Sequence, residues 1–539
     1  MPKINLIAIN SQFVHSSLAV AEIEKMYSVY SEKFGYDMCE MSVTELSVND
    51  SFDSLVYHTM NGADIFAFSV YIWNVNIVLR LCRYIKSAKP DSIIILGGPE
   101  VSYGGDYPCD YIISGEGERS FFCLICEIMN YKIPDGWNYS ADGKIRRAEN
   151  AENLSEFELP YDDKNIEKYD SRIIYYESSR GCPFSCAYCL SSVCGKVRAL
   201  PSERVFADID FFAKHNVNQV KFVDRTFNYD KKRAVEIWKY IIENASQCDT
   251  NFHFEIGADL LGEEELNLLS TAPVGKIQFE AGIQSTYEPA LEESCRHTDN
   301  AKLFENINRL VSFGNINIHV DLIAGLPYEN YENFIKSFND AYSLKAHQLQ
   351  LGFLKLLHGA PLNQMAKKHE FVFQEHSPYE IISNKYITDE EIRHLKKIED
   401  VLERFYNSGR FSSTLKNAEK FFETPFEMFD KICEKFESEN LLFSPVSTKV
   451  LFNFMSRFLK NKNLNADEIL LYDFFVSEKS EVVPSELRYL TRRENIKSEK
   501  QKGNKSAQSR IVGNKAYIID YSHRNKVNGL FEVIDCVYL

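Results

Sequence analysis

Along the first 130 residues, short unbroken apolar runs alternate with stretches whose apolar positions recur every three or four residues. The runs Ile4–Ile9, Ile65–Val70 and Ile93–Leu96 predict buried parallel strands, and Leu18–Val29, Val75–Ala88 and Ser120–Met129 predict helices. This alternation predicts a doubly wound α/β domain over residues 1–130. Residues 131–170 read as a connector, with a small hairpin around Asp142-Gly143 and an extended linker at Glu158–Asp163. Alternation resumes at 171–370, with strands at 172–177, 219–223, 252–256, 277–281, 316–323 and 347–354. Six βα units predict an open, partial (βα)6 barrel, whose chemistry gathers at the carboxyl ends of its strands. Beyond 371 the pattern is mainly helical. Pro378-Tyr379-Glu380 opens a loop, and Thr388-Asp389-Glu390-Glu391 is a capping box for a helix running to about Tyr406 and stopping near Gly409. Helical patterns continue to about 475. The Lys/Ser/Gln-rich run Ile496–Ser509 predicts a flexible linker, and Ala516–Tyr521 with Leu530–Val537 predicts a terminal hairpin.

With 539 residues, 45% hydrophobic and 26% charged, the chain can build about three cored domains. Its formal net charge of −16 lacks the basic footprint of broad nucleic-acid binding. No run reaches the ~18 apolar residues of a membrane span. The N-terminus enters a strand pattern at once and shows no cleavable signal. Thirteen cysteines without an export signal point to a reducing cytoplasm. No internal repeat is visible.

Chemistry concentrates in Ser179-Arg180-Gly181-Cys182-Pro183-Phe184-Ser185-Cys186-Ala187-Tyr188-Cys189. Gly181 and Pro183 bend the chain just after the strand at 172–177. Three thiolates on so short a loop can converge on one cluster face. Soft thiolates select zinc, copper(I) or iron–sulfur. A structural zinc site wants four protein ligands. Three thiolates on a four-iron four-sulfur cluster leave one iron open to a ligand. The plainer alternative is three packed core cysteines.

The C-x-x-x-C-x-x-C spacing resembles that of the radical S-adenosylmethionine (SAM) enzymes. The resemblance implies that the open iron chelates the amino and carboxylate groups of SAM, with Tyr188 near the adenine and Phe184 a further SAM-binding candidate. It also implies that Asp224, after the second barrel strand, binds the SAM amino group. Gly282-Ile283-Gln284-Ser285 and Asp321-Leu322-Ile323-Ala324-Gly325-Leu326-Pro327 resemble motifs of the coproporphyrinogen-oxidase-like and cobalamin-linked radical SAM groups. By that resemblance Gln284 and Asp321 bind the ribose hydroxyls and Arg296 pairs with the SAM carboxylate. Glu255 and Glu280 are further SAM candidates at strand ends. For each, the alternative is a satisfied polar residue at a barrel rim. His358, after the sixth strand, is a substrate contact, a proton donor or a hydrogen-bonded loop histidine. Cys194 reads as a supporting or ordinary packed residue.

The first domain places distinctive loops after its strands: His15 in the first, Ser69, Tyr71, Trp73 and Asn74 in the next, then Gly97-Gly98-Pro99-Glu100 and Gly115-Glu116. These loops look like the cobalamin-binding domain that precedes many radical SAM cores. The D-x-H-x-x-G motif of classical cobalamin enzymes is absent, as it is from many cobalamin-dependent radical SAM enzymes, which implies cobalamin held without a histidine lower ligand. Cys123-x-x-Cys126 lies in a helix pattern and reads as core rather than as a metal site. The whole resemblance implies a cobalamin-dependent radical SAM enzyme with a 4Fe-4S cluster. It would cleave SAM to a 5′-deoxyadenosyl radical and methylate an unactivated carbon of a small molecule. The electron would come from a flavodoxin- or ferredoxin-type reductant. The alternatives are a radical SAM cyclase, oxidase or hydrogen-abstraction enzyme without methyl transfer, a methylthiotransferase acting on tRNA or protein, and a non-catalytic cobalamin sensor. The methylthiotransferase needs three N-terminal cluster cysteines, a pattern that Cys39, Cys82 and Cys109 do not fit. Residues 371–539 carry no catalytic motif and are expected to close the cavity and set the substrate.

Overall fold

The computed structural model describes residues 1–193, 195–462, 464, 466–491 and 505–539. Cys194 and most of the Lys/Ser/Gln-rich run lie outside the described residues. The chain forms two compact units: Met1–Glu255 with Lys355–Lys367 and Phe373–Ile381, and Ile256–Leu354 with Lys368–Val372 and Ile382–Leu539.

The first unit begins with β1 (Lys3–Asn10), α1 (Leu18–Phe34), β2 (Glu40–Ser47), α2 (Phe52–Thr59), β3 (Ile65–Ser69), α3 (Val75–Ala88), β4 (Ile93–Gly97), β5 (Tyr111–Ile113) and α4 (Gly117–Ile128). The sheet order is β2-β1-β3-β4-β5-β7-β6, where β6 (Tyr139–Asp142) and β7 (Ile145–Ala148) are the hairpin expected around Asp142-Gly143. All neighbours through β7 run parallel; only β6 is reversed. Helices cover both faces of such a sheet, so β1 is buried at every position but its first. Helix α3 buries Val75, Val78, Leu81, Cys82 and Ile85 on one stripe. The sequence pattern missed β2, α2 and β5. Strand β2 is a half-polar edge strand and β5 has three residues, so neither forms an apolar run. Cys123 and Cys126 are fully buried on α4, as core side chains.

The chain returns from β1 to β2 on one side and to β3 on the other. Adjacent parallel strands whose connections leave in opposite directions open a crevice between their carboxyl-end loops. The unit continues with β8 (Ile173–Tyr176), β9 (Ser179–Arg180), β10 (Arg198–Ala199), α5 (Ser202–Lys214), β11 (Gln219–Phe222), α6 (Lys231–Asn244) and β12 (Asn251–Ile256). Strand β11 pairs in parallel with β8 and β12, and β9 with β10 antiparallel.

The second unit carries α7 (Glu263–Ser270), β13 (Ile277–Gln284), α8 (Glu288–Glu293), α9 (Asn300–Phe313), β14 (Asn317–Ala324), α10 (Tyr331–Ser343) and β15 (Gln348–Phe353). Strand β14 pairs in parallel with β13 and β15. Strand β14 alternates half-buried and buried positions, so its apolar side chains pack outward on helices while Asn317, His319, Asp321 and Ile323 share the other face. The capping box at Thr388 and Glu391 starts the helix Asp389–Leu402, which runs on as a π-turn to Asn407. Further helices follow to Ser477. The chain ends in three antiparallel strands, Ala507–Val512, Lys515–Arg524 and Phe531–Tyr538. The expected hairpin therefore has a third strand. Ala507–Ser509, expected in the flexible linker, belongs to it, because Ala507, Ile511 and Val512 supply buried positions that the polar run concealed. No helix among the described residues is long and apolar enough to cross a membrane.

Candidate active site

A cavity of about 850 Å³ opens at the carboxyl ends of β1, β3, β4 and β5. His15, Ser69, Tyr71, Trp73, Gly97, Gly98, Pro99, Gly115 and Glu116 line it, as the loop pattern predicts. Tyr71 and Trp73 stack with ring centroids 4.4 Å apart, and the Trp73 indole donates to the Ile9 carbonyl at 3.2 Å. His15 lies 2.7 Å from the Tyr175 hydroxyl. Burial, then the charge of Lys221, lowers its pKa and favours a neutral ring. The loop bearing His15 clips to the start of β8: Ile173 N–H donates to the Val14 carbonyl and the Ser16 hydroxyl to the Ile173 carbonyl, both at 2.7 Å.

Two candidates do not line the cavity. Asn74 is buried and spends its amide on the loop, accepting from Tyr71 N–H and donating to the Ile9 and Ser69 carbonyls. Glu100 accepts from the Tyr379 hydroxyl, and burial raises its pKa. The loop opened by Pro378 is thus fastened to this rim, with Ser377 also donating to the Ile72 carbonyl. His358 stacks edge-on against Tyr379 at 4.7 Å. Gly98 lines the cavity and also packs against the Val70 loop. At φ +116° its missing Cβ would lie 2.4 Å from the Val70 carbonyl oxygen, so it lets two loops cross.

The other wall of the cavity comes from the strand and loop around the cysteines: Tyr175, Glu177, Arg180, Leu190, Val193 and Arg225. Sequence reasoning missed the hub of this wall. The Arg180 guanidinium lies 2.6 Å from Glu177, 2.7 Å from Glu118, 3.4 Å from Glu116 and 3.5 Å from Glu22. Arg198 also pairs with Glu116. Burial, then neighbouring Glu177, raises the Glu22 carboxyl well above its ordinary range. Burial raises Glu177 too. Against that burial cost, Arg180 pulls Glu118 down. Only the Glu177/Arg180 spacing hinted at this cluster; Glu22, Glu116 and Glu118 arrive from far along the chain.

Arg180 leads directly into the cysteine loop. Strands β9 and β10 close its base, and Gly181 sits at φ +104°, where a Cβ would press on the Lys196 and Val197 backbone at 3.1 Å. Cys182, Cys186 and Cys189 are all partly exposed. A Cys189 N–H bond to the Cys186 carbonyl at 3.1 Å turns the loop, and Leu362 N–H reaches the Ala187 carbonyl at 2.8 Å. Burial raises the Cys182 thiol. Among the described residues no three His, Cys, Asp or Glu side chains are close enough to hold a single ion. Three thiolates serving a four-iron cluster each meet a different iron, which asks for a wider spacing. The loop fits that group: three soft ligands, partly exposed, on a backbone that only glycine can close. Phe184 and Tyr188 are half-buried on the same loop.

Asp224 is not offered to a ligand. It is buried, with one oxygen accepting from Ser178 N–H at 2.9 Å and the other from the Ser178 and Ser179 hydroxyls at 2.6 and 2.7 Å. It anchors the chain entering the cysteine loop, in place of the expected contact with the SAM amino group. Glu255 forms an ion pair with Arg225 at 2.9 Å.

In the second unit, Gln284 follows a bulge in the β13–β14 pairing and adopts φ +68°. Its side-chain oxygen is buried without a hydrogen-bond partner among the described residues. Gly282 makes room for its amide, which would lie 2.0 Å from a Cβ there. Arg296 donates to the Gly282 carbonyl. Gly282 is in register with Asp321, and Glu280 with His319, whose ring lies 3.1 Å from the Asp321 carboxylate. The structure therefore brings Glu280, Gln284, Arg296 and Asp321 to one region at the ends of β13 and β14.

Comparison with known proteins agrees with this layout. The B12 binding domain family model matches residues 6–122, and the radical SAM superfamily model matches residues 176–341. The chain carries a B12-binding domain and a radical SAM domain. Residues 367–530, the region without a motif, match a family described as a protein of unknown function, DUF4080. The 2-(S-pantetheinyl)-carbapenam-3-carboxylate methyltransferase of Streptantibioticus cattleyicolor is 25% identical over 349 residues, 56% of this chain and 48% of that protein. The cobalamin-dependent radical SAM methyltransferase TokK of Streptomyces tokunonensis is 23% identical over 385 residues, 65% of this chain and 55% of that protein. The chain thus spans about half the length of these curated relatives. Among solved structures, the cobalamin-dependent S-adenosylmethionine radical enzyme OxsB superposes with a TM-score of 0.59 at 14% identity, covering 91% of this chain and 82% of that one. The radical SAM methyltransferase TsrM from Kitasatospora setae, bound to tryptophan and a SAM analogue, gives 0.53 at 16% identity, covering 69% and 77%. These structural likenesses show the shared fold: parallel α/β domains with a helical C-terminal region.

Proposed function

We propose that the protein is a cobalamin-dependent radical SAM methyltransferase that modifies an unactivated carbon of a small molecule. One observation carries the reading. A single cavity within the first unit is walled on one side by the strand-end loops of the B12-binding domain and on the other by the flanks of the cysteine loop. A corrinoid there would meet a radical source across one shared cavity.

In this reading Cys182, Cys186 and Cys189 hold the 4Fe-4S cluster, and Gln284 and Asp321 take the SAM ribose hydroxyls. The orphaned Gln284 oxygen supports this role, since a buried acceptor wants a donor. Arg296, Glu280, Glu255, Phe184 and Tyr188 complete the SAM surroundings. His15, Ser69, Tyr71, Trp73, Gly97, Pro99, Gly115 and Glu116 surround cobalamin, with no histidine bonded to cobalt. When bound, these groups supply reductive cleavage of SAM and delivery of a methyl group to carbon. The protein's share is to orient them and exclude water. Arg180 and its carboxylates hold the cavity wall, and the aromatic pair Tyr71–Trp73 presents an apolar face. We assign residues 1–130 to cobalamin, 131–170 to the connector, 171–370 to cluster and SAM, and 371–539 to the substrate. A flavodoxin- or ferredoxin-type protein would supply electrons, and the compartment would be the cytoplasm.

The test is anaerobic protein with reconstituted cluster, hydroxocobalamin, reductant and methyl-labelled SAM, incubated with candidate small molecules. Methylation yields labelled product, with 5′-deoxyadenosine and S-adenosylhomocysteine formed together. Deoxyadenosine without label or S-adenosylhomocysteine would leave a hydrogen-abstraction enzyme and overturn the methyl transfer.

A further inference from the structure

The loop after β14 contains a buried acid that neither the cavity nor the cysteine loop uses. Glu329 is 1% exposed. One of its oxygens accepts from the Ser285 hydroxyl at 2.6 Å and from the Ser337 hydroxyl at 2.8 Å. Its other oxygen is buried without a hydrogen-bond partner among the described residues. Both serines cap the turn that follows Gln284: Ser285 accepts from Tyr287 N–H at 2.9 Å and Ser337 from Thr286 N–H at 3.0 Å. Gln284 itself sits at φ +68°, a left-handed conformation that a side-chain-bearing residue keeps only when the surroundings enforce it. Glu329 lies at the end of the turn that leaves β14, the strand of Asp321. It therefore ties the chain leaving Gln284 to the chain leaving Asp321.

We propose that Glu329 is the positioning residue that sets Gln284 against Asp321, so that the two can take one vicinal diol, the ribose of SAM. This inference rests on the SAM reading of Gln284 and Asp321. The geometry makes it pH-sensitive. Glu329 forms no ion pair among the described residues. Of the titratable groups around it, Asp340 of α10 reaches the same turn through the Thr286 hydroxyl at 2.9 Å, and Tyr328 adjoins it in its own loop. Burial without a cation pushes its pKa up to about 7. Above that value both serine hydroxyls still donate to the carboxylate, but its charge is buried without a cation, so opening the site to water comes to compete with the closed turn.

The experiment is equilibrium dialysis of SAM against cluster-reconstituted full-length protein, at pH values from about 6 to 8.5. Wild-type affinity should weaken several-fold as pH rises through about 7. Glu329→Gln keeps the acceptor oxygen and cannot ionise, so its affinity should be pH-independent and tight. Glu329→Ala should bind roughly tenfold more weakly at every pH, with iron content and hydroxocobalamin affinity unchanged. Glu329→Ala binding like wild type, or Glu329→Gln retaining the wild-type pH profile, overturns the inference alone. Wild-type protein with its full iron that takes up no SAM overturns the SAM reading, and this inference with it.

Discussion

The seven-stranded sheet of the first unit and the strands β13–β15 of the second are both parallel, yet they expose chemistry differently. Strands β1, β3 and β4 are apolar nearly throughout, because helices cover both faces. The polar side chains that meet the cavity gather at or just after the strand ends: Ser69 closes β3, and His15, Tyr71 and Glu116 lie in the loops. Strands β13 and β14 have only one face covered. Their alternation leaves Glu280, Gln284, His319 and Asp321 on the strands themselves. A loop site can be reshaped by insertion. A strand site is held by register, so a bulge such as that between Gly282 and Gln284 is needed to aim a side chain.

The sharpest way to separate the two regions is to remove what lies beside only one of them. Replacing Cys182, Cys186 and Cys189 together by Ala should abolish bound iron and its visible absorbance, while hydroxocobalamin titration stays near wild type. Retained iron would break the cluster assignment. Gly181→Val should follow in size. A left-handed backbone and contact with the 196–197 backbone cost about 3 kcal/mol, read as a lower denaturation midpoint and reduced iron occupancy.

Glu329 tests the strand region through pH. Its folded pKa of about 7 exceeds the ordinary 4.5, so the folded state holds the proton more tightly. Stability is therefore greatest at low pH and falls as pH rises from about 4.5 to about 7. Glu329→Gln should lose this dependence and gain on the order of 2 kcal/mol relative to wild type between pH 5 and 8, measured by urea unfolding at each pH.

A pair of substitutions then compares loop with strand directly. Gln284→Gly relieves the backbone conformation but removes the amide, and should weaken SAM binding by about tenfold with corrinoid affinity intact. Ser69→Phe fills the loop cavity and should do the reverse. If either substitution weakens both ligands equally, the two regions are not separate sites. The smallest effect belongs to Tyr379→Phe. It removes one partly buried hydrogen bond to Glu100 and should cost about 1 kcal/mol or less, seen as faster proteolysis of the 373–381 segment.

Much of this site could be read in the sequence, for local reasons. A parallel strand buried on both faces is an apolar run, so β1, β3 and β4 stand out, and β13 and β14 stand out by their alternation. The cysteine spacing and Gly181 lie within one short stretch. The edge strand β2 and the three-residue β5 stayed hidden because neither forms a run. Asp224 and Asn74 were placed in the right loops, but their bonding could not be read. Asp224 is consumed by Ser178 and Ser179, and Asn74 by the backbone of its own loop. Gly98 stands out in the sequence as a special backbone position, but its crossing with the Val70 loop could not be read there.

By itself the sequence determined the three-thiolate loop, the order of strand-end loops and the alternation that puts Gln284 and Asp321 on one face. Spacing and side-chain period are local properties of the chain. Only the tertiary structure decided which polar groups remain available. It gathered Glu22, Glu116, Glu118 and Glu177 around Arg180, satisfied Asp224, and left the Gln284 oxygen and one Glu329 oxygen bare. A hydrogen bond has a reach of about 3 Å, so whether a buried polar group is spent or free depends on partners that chain folding brings from distant positions.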